Sequence, residues 1–267
     1  MRATTQFVGD PRQFFSDDRW RAIAPSVARL LRRGPKGEPR RFLEAVVWIL
    51  RSGAPWRDLA ARFGRWQSVY RRYRRWALSG RWETLRQLLS VASRTERRSL
   101  LLIDSTIVKA HPHAAGASRR TGGQSAQALG RSRGGFSTKL HVVVTKDGKL
   151  VRYCLTAGEA HDITQARALV SSAKGTKLVG DRGYDSDDFI AHVRACGMRA
   201  VIPSRRHRRA QRRLDRRAYA QRNVVERWFG RIKVFRRIAT RYEKTTRSYL
   251  GLVAIAATLI TLTGWFE

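Results

Sequence analysis

The chain has 267 residues, with 55 lysines and arginines against 20 aspartates and glutamates, a formal net charge of +35 and a sequence pI near 11.7. Its 42% hydrophobic content, eight tryptophans and ten phenylalanines supply a core for one large or two smaller domains, which excludes a disordered tail and leaves a polyanion as the partner such a charge calls for. Two cysteines, Cys154 and Cys196, lack a C-x-x-C spacing, which excludes a zinc ribbon, a redox motif and a disulfide scaffold and fits a reducing compartment.

The residues after Met1 carry no apolar core of signal-peptide length, so no export is expected. Asp17 or Asp18 can cap a helix running to about Leu31, and the GPKGEP stretch, Gly34 to Pro39, makes a loop. FLEAVVWIL, Phe42 to Leu50, predicts a second helix ending at Gly53. In PWRDLAARFG, Pro55 starts and Gly64 ends a third, and WQSVYRRYRRWAL, Trp66 to Leu78, follows almost at once. Two short helices joined by a glycine turn make a helix-turn-helix candidate within a helical domain over residues 1–95. Val69, Tyr73 and Trp76 recur at i, i+4 and i+7 and face the core. Gln67, Ser68, Arg71, Arg72 and Arg75 then point outward, and they are the types that read base edges and grip phosphates in a major groove. A solvated basic face on a helical bundle is the competing reading.

From residue 100 the periodicity changes. SLLLI, Ser99 to Ile103, predicts a strand that Asp104 closes. Residues 105–135, rich in Gly, Ser, His and Arg, predict a long flexible loop, either a mobile DNA-contacting segment or simple disorder. KLHVVVT (Lys139 to Thr145) and KLVRYCLT (Lys149 to Thr156) form a hairpin around Lys146-Asp147-Gly148. Next come a helix from about Ile163 to Ala173, a strand KLVG closed by Asp181, a helix over DDFIAHVRACG and a strand over Arg199 to Pro203. Residues 204–217 are a basic linker, and a long helix begins near Arg217. Because 46 of the 55 basic residues are arginine, and GC-rich coding alone favours arginine, richness in arginine does not by itself indicate function. The apolar run Leu250 to Trp265 falls short of the ~20 residues of a membrane span and predicts a buried helix instead. Three strands, helix, strand, helix, strand, helix is the order of an α/β, ribonuclease-H-like mixed sheet with flanking helices, here over residues 99–267.

Phosphodiester cleavage with two Mg²⁺ needs a few carboxylates held close together. Asp104 and Asp181 close strands that are neighbours in this topology, so they can converge; each alone reads equally well as a turn residue or cap, and Asp185 competes with Asp181. In YAQRNVVERWFGRIK, Tyr219, Arg222, Glu226 and Lys233 fall within about 60° of one helical stripe. Asp162, three residues before Gln165, makes a helix capping box rather than the metal-dependent phosphohydrolase pair that His161-Asp162 suggests. His111-x-His113 has no partners to complete a zinc site and is expected to have a loop role.

The spacing Y-x2-R-x3-E-x6-K, with LLIDST and VGDRGYDSD upstream, resembles the signature of DDE transposases of bacterial insertion sequences, in the insertion-sequence-five group. WILRSGAPWRDLAARFGRWQSVYRRYRRW is similar to that group's amino-terminal helical region and GRSRGGFSTKLH to its second-strand approach, so the likeness covers nearly the whole chain. The resemblance implies Asp104, Asp181 and Glu226 as ligands of two Mg²⁺, replaceable by Mn²⁺, with Tyr219, Arg222 and Lys233 around the DNA. It implies cleavage at element ends and strand transfer into target DNA. The expected partners are double-stranded DNA, both terminal inverted repeats and target, and a second copy of the chain or more in a synaptic complex; no membrane is involved, and the nucleoid is the expected location. A structure-specific nuclease of the same fold, or an inactive DNA-binding descendant, is the alternative. Between Asp181 and Glu226 there is no room for a large insertion domain.

Overall fold

The computed structural model describes residues 14–31, 38–91, 100–118, 122–123 and 125–262. Ser99, most of the GPKGEP loop and residues 263–265 of the apolar run lie outside them.

The sheet is built around β1 (Leu101–Ala110), which pairs antiparallel with β3 (Gly135–Thr145) and parallel with β5 (Lys177–Val179). Beyond β3 lies β4 (Leu150–Ala157), across the hairpin turn the sequence predicts, and beyond β5 lies β6 (Arg199–Val201), parallel to it. Short strands β2 (Gly130–Ser132) and β7 (Thr240–Arg241) extend β3 and the far end of β1. With β2 and β7 set aside and the other five strands counted in chain order, the sheet runs 3-2-1-4-5 with the second reversed, the ribonuclease-H-like order expected from the sequence.

Both faces of the sheet are covered, which is why LLLI is apolar without alternation. Leu101 and Ile103 face a cluster with α5 (Ile163–Val170) and α6 (Asp187–Ala195). Leu102 and Val108 face the larger core, with α8 (Asn223–Ile232), the short α9 (Arg236–Ala239) through Ile238, and α10 (Thr246–Leu262). That core also takes in α1 (Asp17–Leu30), α2 (Pro39–Ser52), α3 (Trp66–Leu78) and α4 (Arg81–Val91), through Ile23, Ile49, Tyr73, Trp76 and Trp82. The predicted C-terminal helix is α10; apolar nearly all round, it runs between the helical layer and the sheet. At Gly251 a Cβ would come within 2.9 Å of Trp82 and 3.4 Å of the Tyr73 hydroxyl, so only glycine lets α10 lie this close.

Several elements differ from the sequence reading. PWRDLAARFG is two 3-10 turns, Trp56–Asp58 and Ala61–Phe63, with Leu59 and Ala60 extended between them. Eight uncapped residues do not sustain a helix against the burial of Leu59 and Phe63, so the first helix of the proposed helix-turn-helix is absent. Asp104 does not close β1 but sits fourth in a ten-residue strand. Residues 105–110 are strand because β3 supplies partners as far as Lys109↔Ser137 and β7 pairs the remainder. The described part of the 105–135 segment is also tied down: the buried Arg241 guanidinium donates to Gln127 O at 2.7 Å, Ala128 O at 3.2 Å and Thr138 Oγ1 at 3.1 Å. The helix expected near Arg217 is divided into α7 (Arg216–Tyr219), a 3-10 turn (Ala220–Arg222) and α8. Among the described residues no helix is long and apolar enough to cross a membrane.

Candidate active site

The parallel register Leu101↔Leu178, Leu102↔Val179 carries forward to set Asp104 level with Asp181, just past the end of β5. Gly180 makes this approach possible, since a Cβ there would crowd Ile103 at 3.1 Å and Tyr184 at 3.2 Å. Asp181 then turns into the 3-10 turn Arg182–Tyr184, where its Oδ1 accepts from Gly183 N at 2.8 Å.

Asp104 shares a strand face with Leu102 and Thr106, toward α8. Only 8% exposed, it accepts from Ser105 N at 2.8 Å and from Arg222 Nη2 at 3.3 Å. Burial pushes its pKa up to about 6, with the like charge of Asp181 adding to the rise and the Ser105 amide and Arg222 opposing it. Arg222 Nη1 reaches Glu226 at 2.9 Å, so one guanidinium spans Asp104 on the sheet and the exposed Glu226 on α8. Burial pulls the Arg222 pKa down, but Asp104, Glu226, Tyr219 and Asp181 together raise it overall, so the bridge is fully charged. Tyr219 is half-buried beside it. Lys233, at the C-cap of α8, donates to Thr106 Oγ1 at 2.7 Å and Ile107 O at 3.3 Å. Arg222 and Lys233 therefore reach β1 from the two ends of α8, with Lys233 tied to the strand rather than solvated.

Of the two competing aspartates, Asp181 lies beside Asp104. Asp185 is fully buried and engaged by arginines: it accepts from Arg205 N at 2.7 Å and Arg208 Nε at 2.8 Å and contacts Arg212. Asp162 corrects the capping-box expectation. It makes no cap hydrogen bond and accepts instead from Ser105 Oγ at 2.7 Å and Lys139 Nζ at 2.8 Å, on the face of β1 opposite Asp104. Beside this pair His141 is completely buried, bonded through Nε2 to Thr156 Oγ1 at 2.8 Å, and burial lowers its pKa to about 4, leaving it neutral. Sequence reading missed Ser105, Lys139 and His141, although the register pairs Ser105↔His141 and Ile107↔Lys139 and so stacks them on one face. His111 and His113 pack edge to face at 4.5 Å, with His111 on Tyr242.

The donor set is three carboxylates, suited to a hard divalent cation. As they stand, no three His, Cys, Asp or Glu side chains among the described residues are grouped closely enough to hold a metal ion; the cation between Asp104 and Glu226 is Arg222. The residues fit a metal in chemistry, and converging on one requires Arg222 to give up at least one of its two carboxylates.

On α3, Val69, Tyr73 and Trp76 are buried, while Gln67, Ser68, Arg71 and Arg75 are exposed. Arg72 is not on that outward face. Its guanidinium lies 4.3 Å from the Phe42 ring centroid and 5.9 Å from that of Trp76, as its spacing of three from Val69 and four from Trp76 dictates. Arg72→Ala is expected to cost about 1 kcal/mol of stability through lost stacking and packing, whereas Arg71→Ala stays within about 0.5 kcal/mol; urea titration of both variants checks the difference.

The sequence profile described as "Transposase DDE domain" matches residues 95–261, and one described as "Putative transposase of IS4/5 family" matches residues 15–86. The uncharacterized protein y4sN of Sinorhizobium fredii is 45% identical over 114 residues, 42% of this chain and 89% of that protein. A putative transposase for insertion sequence element IS6501 of Brucella ovis is 37% identical over 132 residues, 48% of this chain and 99% of that protein. Among solved structures, a piggyBac transposase synaptic complex with hairpin DNA aligns with 73% of this chain at 11% identity and a TM-score of 0.40, and the chain spans 50% of that one's length.

Proposed function

The chain belongs to the transposase DDE-domain family, in its IS4/5 group, and on that premise we propose that it cuts DNA at the ends of its element and joins the freed ends to target DNA, with Asp104, Asp181 and Glu226 as its acidic centre. The observation that carries this assignment is the single Arg222 guanidinium shared by Asp104 and Glu226, beside Asp181.

Bound at these carboxylates, two Mg²⁺ or Mn²⁺ ions would supply Lewis-acid stabilisation of the attacking and leaving oxygens. The residues prepare for it. Asp104 is fixed by the Ser105 amide and Asp181 by the Gly183 amide, so two of the three ligands are rigidly held. Glu226 is exposed and, among the described residues, restrained only by Arg222, so it is the ligand that moves. Arg222, once released, presents its planar fork to a phosphate. Tyr219 at the end of α7 and Lys233 at the end of α8 would flank the DNA, and Gln67, Arg71 and Arg75 on α3 are the remaining candidates for gripping element ends. Two ends must be brought together for joining, so the working form is a dimer or larger assembly on DNA, at the nucleoid.

The test incubates the purified protein and Mg²⁺ with its own flanking element ends and a plasmid target, and maps the products. Cleaved ends joined to plasmid are the expected result. Cutting without joining would make the protein a nuclease, and binding without either would make it a DNA-binding descendant of a transposase.

A further inference from the structure

Between β6 and α7 the chain crosses residues 202–215 without a helix or strand, yet this segment is fixed at many points. Asp185, whose side chain is fully buried, accepts from Arg205 N and Arg208 Nε and contacts Arg212. Asp187 pairs with the same two arginines, at 2.7 Å and 3.1 Å. The Gln211 amide donates to the carbonyls of Arg205 at 3.0 Å and Arg208 at 3.1 Å, Arg212 N donates to Ser204 Oγ at 3.0 Å, and Asp215 closes the segment by pairing with Lys177 at 2.8 Å and capping α7. Arg208 and Arg212 are thereby turned inward, and Arg205, Arg206, Arg209, Arg213, Arg216 and Arg217 are left exposed.

A merely solvated basic surface needs no such anchoring. Burying a carboxylate is costly unless it is paired, and here the buried Asp185 holds in place residues 205–213, which lie between the core side chains Ile202 and Leu214 and contribute none of their own. Its position is equally pointed. Arg205 Nε reaches the carbonyl of Arg182, next to Asp181, and at its other end the segment runs into α7 and the turn bearing Tyr219 and Arg222. A ribbon of exposed arginines on an anchored backbone thus links the two sides of the acidic centre.

We propose that residues 205–217 are a preorganised docking surface for the DNA phosphate backbone, anchored by Asp185 and Asp187, that holds the duplex beside Asp181 while Asp104, Asp181 and Glu226 act on it. This rests on the transposase reading above. A backbone already anchored leaves only the exposed side chains to be ordered on binding, and each phosphate they neutralise releases counterions, which makes the contribution readable as salt dependence.

The experiment measures binding of the full chain to a non-specific duplex against salt concentration. Arg206→Gln/Arg209→Gln/Arg213→Gln is expected to lower the slope of log K against log salt by about 2 to 3 and to weaken binding on the order of 100-fold at 0.15 M salt, at ~0.9 per phosphate contact. The comparison variant, Lys146→Gln/Lys174→Gln/Arg194→Gln, removes three exposed cations where β1, β5 and β6 begin, at the opposite end of the sheet, and is expected to change the slope by less than about one unit. Asp185→Asn leaves every arginine in place but frees the ribbon, so cleavage at saturating DNA falls while the slope holds. A ribbon variant with the wild-type slope, or a comparison variant with an equal loss, overturns the proposal while the wild-type protein still cuts and joins. A wild-type protein that binds no duplex overturns the transposase reading itself.

Discussion

Asp104→Asn, Asp181→Asn and Glu226→Gln each abolish cleavage at element ends while duplex affinity stays within a few fold. Each substitution removes one anionic oxygen ligand without touching the basic surface that supplies most of the affinity. Metal-assisted charge stabilisation is worth several kcal/mol, so losing one ligand lowers the rate by about 10³-fold or more at 1.36 kcal/mol per decade. Glu226→Gln is the most exacting of the three. Glu226 is exposed and stands on a helix otherwise packed by Val225, Trp228, Phe229 and Ile232, so this variant folds as the parent does and any loss is chemical. Asp162→Asn is the contrast: Asp162 lies on the other face of β1 and its amide oxygen can still accept from Ser105 and Lys139, so cleavage persists at a reduced rate. Cleavage assays at saturating DNA with Mg²⁺ titrated check all four, and wild-type rates for Glu226→Gln would remove it from the acidic centre.

The sheet was legible in the sequence because its strands are short apolar runs bounded by Gly, Pro and Asp, and because the hairpin around Lys146-Asp147-Gly148 declares its own register. Asp104 and Asp181 were legible as neighbours because each follows a short apolar run in adjacent parallel strands, although β1 continues six residues past Asp104 while β5 ends before Asp181. The full length of β1 was hidden because residues 105–110 become strand only when β3 and β7 pair with them, and β7 lies about 130 residues further along the chain. The same is true of Asp162. Its spacing from Gln165 matches a capping box, but Lys139 and Ser105, 23 and 57 residues away, compete for the carboxylate and win it. Arg72 is a different case, a misreading of a signal that was present: its spacing to Val69 and Trp76 already placed it on the packed flank of α3. The bridging role of Arg222 was half legible, because four residues separate it from Glu226 on one stripe; that the same guanidinium also takes Asp104 depends on how α8 lies over β1.

Without divalent metal, Asp104→Asn is more stable than the parent at pH 7.5, by about 2 to 3 kcal/mol, and by only about 0.5 kcal/mol at pH 4. The sign follows from the direction of the shift. Folding raises the Asp104 pKa from an ordinary 3.8 to about 6, chiefly because burial disfavours its charge. Well below pH 3.8 the carboxyl is protonated in both states and contributes nothing; as pH rises through 3.8 to 6 the unfolded chain ionises first, and the folded state is penalised by the difference, at 1.36 kcal/mol per unit. Asparagine keeps an acceptor for the Ser105 amide and carries no charge, so the penalty, which already sets the Arg222 attraction against burial, disappears. Comparing the two proteins at each pH cancels the titration of every other group. Mg²⁺ sharpens the test, since a cation held by Asp104 stabilises only the folded parent and narrows the gap at pH 7.5, with no such effect on the variant. Urea midpoints at pH 4 and 7.5, each with EDTA and with Mg²⁺, supply the measurements. A variant less stable than the parent at pH 7.5 would mean that Arg222 already compensates the Asp104 charge in full, and that the metal-free site carries no electrostatic strain for a divalent cation to relieve.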